Sequence, residues 1–216
     1  MLTSWKAAVI CAGVCPAAAI FFLAGSICQA MEVTGSSSVN ITTNYYIFGG
    51  TNRAQLLAAM AAARPWKGTR NYDAQTKWSV YLNYGYGRSE GQFKLNWVEV
   101  KTRVAITLPR WIPGHPVTPE LVAQWTKCST GLRTHERGHL QVAQAATEAV
   151  KKHVLALPGC DSVEELVKLA RETMNNTLEE FHERERKYDE VTGHGRTQGA
   201  VLPMWPFWGG GVASER

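Results

Sequence analysis

From Thr76 to Gly87 apolar residues alternate with polar ones: Trp78, Val80, Leu82, Tyr84 and Tyr86. That period of two predicts a strand with one buried face. A polar turn, Gly87-Arg88-Ser89-Glu90-Gly91, leads to a second alternation through Phe93, Leu95 and Trp97, then Val98, Val100, Val104, Ile106 and Leu108. The parity flips between Trp97 and Val98, and a β-bulge there keeps both halves on the core side. The two runs predict an antiparallel hairpin, joined by a strand over Asn44–Phe48 that Gly49-Gly50 ends. Asn52 with Gln55 three residues later is a capping-box pattern. It opens an Ala/Leu/Met-rich helix that must stop before Pro65.

The period then changes. Thr118-Pro119-Glu120 combines a hydroxyl cap, a proline at the first helical position and an acid in the first turn. Leu121, Trp125, Cys128, Leu132, His135, His139, Val142, Ala146 and Val150 follow in steps of three and four, one face of a helix. The helix is expected to reach about Leu157, with Ser129-Thr130-Gly131 as a break and Pro158-Gly159 as its end. Asp161 with Glu164 predicts a second capping box and a second helix carrying Val163, Leu166, Ala170, Phe181 and Tyr188. The segment Tyr188–Gly195 is expected to form a loop after it. The predicted class is therefore α+β: a small antiparallel sheet with one short helix, followed by two long antiparallel helices.

Before Glu32 the only charge is Lys6, and Ala7–Ile27 is almost wholly apolar. A basic start followed by an apolar run is the pattern of a secretory signal, with Cys28-Gln29-Ala30 as a small-residue cleavage site. Residues 1–30 are thus expected to be a signal peptide or, uncleaved, a single-span anchor through residues 7–27. Either way the domain works outside the cytoplasm, in the periplasm or beyond. Residues 31–41, rich in Ser, Thr and Gly, read as a linker or an early edge strand. Residues 42–200 form the domain, and the Trp/Pro/Gly-rich residues 201–216 read as an irregular tail.

Charge and cysteine content add exclusions. The 23 Lys+Arg against 18 Asp+Glu are scattered, and no basic run with interleaved aromatics points to nucleic acid. Cys128 and Cys160 remain after the leader. A helix from Gly131 to Leu157 is about 40 Å long, so a bridge between cysteines at its two ends needs a sharp bend, which argues against a disulfide.

His135-Glu136-Arg137-Gly138-His139 is an H-E-x-x-H sequence. Two histidines one helical turn apart can bind one Zn²⁺, and Glu136 between them can act as the base that takes a proton from water. A third ligand is required. Counting back from the Pro158-Gly159 turn places Glu179 and Glu180 level with His139, and Glu183 level with His135. The alternative is His194, held between Gly193 and Gly195 in the loop expected after the second helix. The residues by themselves leave the two options open. His115, His153 and His182 read as surface or supporting residues. Tyr188 is a candidate to hydrogen-bond an oxyanion, with a plain role in the core as its alternative.

Thr107–Trp111 (T-L-P-R-W), Arg133–His139 (R-T-H-E-R-G-H) and Tyr188–Ala200 (Y-D-E-V-T-G-H-G-R-T-Q-G-A) together resemble a bacterial domain-of-unknown-function family described as predicted secreted Zn-dependent proteases. The resemblance spans about Thr42–Ala200. It implies a zincin-like metallopeptidase with His135 and His139 as zinc ligands, Glu136 as base and His194 as third ligand. Members often carry a cysteine in the second hairpin strand as partner for one near Cys160, where this chain has Gln92 and Phe93. The expected function is zinc-dependent hydrolysis of peptide bonds, in a peptide, a protein or a cell-wall peptide. Its rivals are a zinc amidase acting on peptidoglycan and a non-catalytic cell-envelope protein that binds zinc or a partner.

Overall fold

In the computed structural model, which describes residues 8–11, 33–66 and 72–202, the chain forms β1 (Ala8–Cys11), β2 (Thr34–Phe48), α1 (Arg53–Ala63), β3 (Gln75–Ser89), β4 (Gln92–Trp111), α2 (Pro119–Leu155) and α3 (Val163–Thr192). A single 3-10 turn over Arg196–Gln198 follows α3. The α+β class agrees with the sequence reading. The hairpin is also as expected: β3 and β4 pair antiparallel and bury Trp78, Val80, Leu82 and Tyr84 against Val98, Val100 and Val104. The pairing slips where Gly85 faces Trp97 but Tyr86 faces Leu95, so Asn96 is the extra residue of the bulge. Gly85 is required there, because a Cβ would run into the Trp97 ring and the Asn96 amide.

The sheet is mixed, not purely antiparallel. β2 runs parallel to β4 from Thr34↔Trp97 to Phe48↔Trp111. Parallel neighbours need a long connection, and α1 with β3 supplies it. The strand predicted over Asn44–Phe48 begins at Thr34, so most of the 31–41 segment takes the edge-strand alternative and not the linker. Its side chains are largely exposed before Tyr46, which is why hydrophobic patterning shows only its last five residues. Ala8–Cys11, inside the expected leader, pairs parallel with Tyr81–Tyr84 on the outer edge of β3. The rest of the leader and residues 203–216 lie outside the described residues. No helix among the described residues is long and apolar enough to cross a membrane.

α2 is one unbroken helix of 37 residues, about 55 Å long. The expected break at Ser129-Thr130-Gly131 does not occur. Gly131 instead admits the backbone of Gly199 and Ala200, which a Cβ would displace. α2 packs across β4, where a buried hydroxyl pair, Thr102 and Thr147 (2.7 Å), joins helix to sheet. α3 is capped by Ser162, whose hydroxyl accepts from the Glu165 amide, while the Glu165 carboxylate accepts from the Asp161 amide. The cap therefore sits one residue later than Asp161/Glu164, and the returning carboxylate bond goes to the Asp161 amide. Between the helices, Cys160 makes a two-way backbone bridge to Phe93 (2.8 and 2.9 Å). Cys128 and Cys160 are both buried free thiols.

Candidate metal centre

Four α3 residues spaced i, i+3, i+4, i+7 (Glu185, Tyr188, Asp189 and Thr192) share one helix face, and all four meet the H-E-x-x-H turn of α2. His135, Glu136 and His139 are each at least 91% removed from solvent. The Nε2 atoms of His135 and His139 lie 3.3 Å apart. Asp189 Oδ1 stands 3.1 Å from each of them. The three donor atoms form a nearly equilateral triangle, within a cluster of metal-capable residues comprising His135, His139 and Asp189. Zinc bound tetrahedrally at about 2.0–2.1 Å sets neighbouring donors about 3.3 Å apart, so the residues present fit that ion in both chemistry and spacing.

The far ring nitrogens are also engaged. His139 Nδ1 lies 3.3 Å from Glu185 Oε1, which in turn accepts from Trp78 Nε1 at 2.8 Å. His135 Nδ1 lies 3.1 Å from Gln198 Oε1. Outer partners of this type turn the inner nitrogen lone pair toward a metal. The Tyr188 ring stacks on His135 with centroids 5.1 Å apart and planes 10° from parallel.

Electrostatics follow from this packing. Burial would hold His139 neutral, but its contacts with Asp189 and Glu185 prevail and raise its pKa to about 10. Burial pushes the Asp189 carboxyl the other way, yet the hydrogen bonds from His135 and His139 hold it well below the usual carboxylate range. Burial raises Glu136, against the opposing hydrogen bond from Thr76. The Thr76 hydroxyl, at the start of β3, donates to Glu136 Oε2 at 2.6 Å.

His135, Glu136 and His139 thus come together in one turn of α2, and four expectations change. His194, expected as third ligand, lies outside the triangle: its side chain is 71% exposed and its Nδ1 sits 3.5 Å from Asp189 Oδ1. Glu179 and Glu183 face solvent and pair with Arg186, and Glu180 is exposed too. The extended stretch held by Cys160 and Phe93 sets α3 back relative to α2, so residues level with the histidines come later than a symmetric count gives. Tyr188 and Asp189 are helical, since α3 continues to Thr192 and ends on Gly193 in the left-handed conformation. The Tyr188 hydroxyl does not face an open site. It donates to the His135 carbonyl at 3.1 Å, over Gly138, where a Cβ would collide with it.

The family described as "Bacterial protein of unknown function (DUF922)" matches residues 43–195, more than two thirds of the chain. The chain belongs to this family. The DUF922 match starts next to the expected domain boundary at residue 42 and ends at Gly195, so it takes in the whole donor triangle but not Gln198. No curated protein and no solved structure matches the chain.

Proposed function

We propose that this DUF922 protein is a zinc-dependent hydrolase of peptide bonds that works outside the cytoplasm. The observation that carries the reading is the donor triangle of His135, His139 and Asp189, with the buried carboxylate of Glu136 next to it in the same helical turn. Bound there, zinc supplies Lewis acidity to a scissile carbonyl and to water. The chain's own residues do the rest. Thr76 fixes Oε2 of Glu136, leaving Oε1 to accept a proton from water and return it to the departing amine. Burial that raises the Glu136 pKa moves the base toward working pH, where proton transfer is most effective. Glu185 and Gln198 orient the two imidazoles. Lys6 and the apolar run after it support export.

A second reading, a closed non-catalytic zinc site, draws on one observation: His194 Nδ1 is 3.5 Å from Asp189 Oδ1 and could supply a fourth protein ligand. A zinc-loaded preparation tested against a mixed unfolded-protein substrate and against peptidoglycan separates the readings. Peptide release that disappears with chelator and in Glu136→Gln supports the peptidase. Release from peptidoglycan alone points to the amidase, and no turnover of either substrate points to the closed site.

A further inference from the structure

Three residues close a ring of hydrogen bonds behind His135, and their donor and acceptor roles interlock. His135 Nδ1 faces Gln198 Oε1 at 3.1 Å. The Gln198 amide nitrogen donates to the Tyr188 hydroxyl at 3.0 Å. The Tyr188 hydroxyl donates to the backbone carbonyl of His135 itself at 3.1 Å. An amide oxygen can only accept and an amide NH₂ can only donate. With the NH₂ committed to Tyr188, whose own proton is committed to a carbonyl, Gln198 Oε1 must meet a proton on His135 Nδ1. A proton there leaves Nε2, which faces His139 and Asp189, as the nitrogen able to offer a lone pair to a metal.

The backbone is shaped to hold this ring. Gly138 leaves room for the Tyr188 hydroxyl, which any Cβ would displace. Gly195 has φ +84, and a Cβ there would come within 2.8 Å of Ala200 Cβ and 3.1 Å of the His135 side chain. The Ala200 amide donates to the Gly195 carbonyl at 3.0 Å, closing the loop that presents Gln198. Gly131 admits that loop against α2.

We propose that Gln198 is a positioning residue: with Tyr188 it fixes the tautomer of His135, keeping Nδ1 protonated and Nε2 ready to bind a metal. The inference rests on the zinc reading for its use, but the ring can be tested without metal.

The test uses nitrogen NMR of His135 in the metal-free chain, and zinc affinity by chelator competition, for the parent, Gln198→Leu, Gln198→Glu and Tyr188→Phe. Nδ1 of the parent should show a protonated, pyrrole-type shift. Gln198→Leu removes the nearer acceptor and leaves Nδ1 only the longer contact with the Thr192 hydroxyl at 3.4 Å, so the pyridine-type Nδ1 signal should grow and zinc affinity fall about 10- to 100-fold, the usual loss for an outer partner. Gln198→Glu keeps an acceptor and should restore the parental Nδ1 signal. Tyr188→Phe frees Gln198 to rotate and should give an intermediate result. A parental Nδ1 signal in Gln198→Leu would overturn the proposal, as would undiminished zinc affinity in that variant. A parent with protonated Nδ1 that binds no zinc would sustain the ring while removing the hydrolase reading.

Discussion

Asp189 Oδ1 lies 3.1 Å from His139 Nε2, across 50 residues of chain. This contact puts Asp189 Oδ1 in the donor triangle, while His194 Nδ1 stands 3.5 Å from it on an exposed side chain; on the zinc reading Asp189 is then the third ligand. Asp189→Ala should therefore weaken zinc binding at least a hundredfold. His194→Ala should change it less than tenfold. Chelator competition on the two variants checks the order. The reverse ranking would return the third place to His194.

Glu136→Gln keeps the shape of the side chain and its contact with Thr76 but cannot take a proton at neutral pH. It should keep zinc and lose hydrolysis by about 10²- to 10⁴-fold, the usual contribution of a positioned base. Parallel metal analysis and peptide-release rates check it.

Much of this site can be read from the sequence, and what cannot has identifiable causes. The H-E-x-x-H turn, its burial and the hairpin follow from periodicity, because His135 and His139 fall on the same stripe as Leu132 and Ala146. The third donor does not, since its position depends on how far the non-helical stretch between Leu155 and Val163 sets α3 back. Gly193 and Gly195 favour a loop over Tyr188–Gly195, and a loop there breaks the decisive spacing. Continued as helix, Glu185, Tyr188, Asp189 and Thr192 form one face. The long edge strand β2 was only partly visible because its exposed residues carry no alternation. Gln198 lies inside the Tyr188–Ala200 motif, but its role beside His135 exists only through the fold of the Gly195–Ala200 loop.

Glu185→Ala should lower zinc affinity about 10- to 100-fold without touching the metal directly. It removes the acceptor beside His139 Nδ1 and leaves Trp78 Nε1 without its Glu185 bond. Glu179→Ala, on the same helix but paired with Arg186 at the surface, should leave affinity unchanged. Competition titration of the two variants side by side provides the comparison.

In the metal-free chain His139 is protonated at neutral pH, since its pKa is raised to about 10. Zinc must displace that proton, so affinity should climb with pH, about tenfold per unit for one proton, and level off near pH 10. Calorimetry at pH 7.5 in buffers of different ionisation enthalpy should report proton release on binding. The sign for stability is opposite. A raised histidine pKa stabilises the metal-free fold fully below the ordinary value of 6.5, and that contribution is lost as pH rises through about 10. The lowered Asp189 stabilises above its ordinary value of 3.8 and loses its contribution as pH falls below it. Thermal melts of the metal-free chain across pH should show both losses.

Gly138→Ala improves helix propensity by about 1 kcal/mol but drives a methyl into the Tyr188 hydroxyl. Overpacking costs about 1–3 kcal/mol, and the displaced hydroxyl also loses its bond to the His135 carbonyl. A lower melting temperature and weaker zinc binding are expected together. A stabilised variant with parental affinity would show that Tyr188 moves aside freely.

The most direct measurement for the central claim is metal content. The chain should be purified without chelator, dialysed against trace zinc and analysed by elemental mass spectrometry beside an Asp189→Ala control. One zinc per parental chain, and well under one in the control, is the predicted result. A parental chain that holds no zinc, and whose melting temperature does not change when zinc is added, would contradict the account.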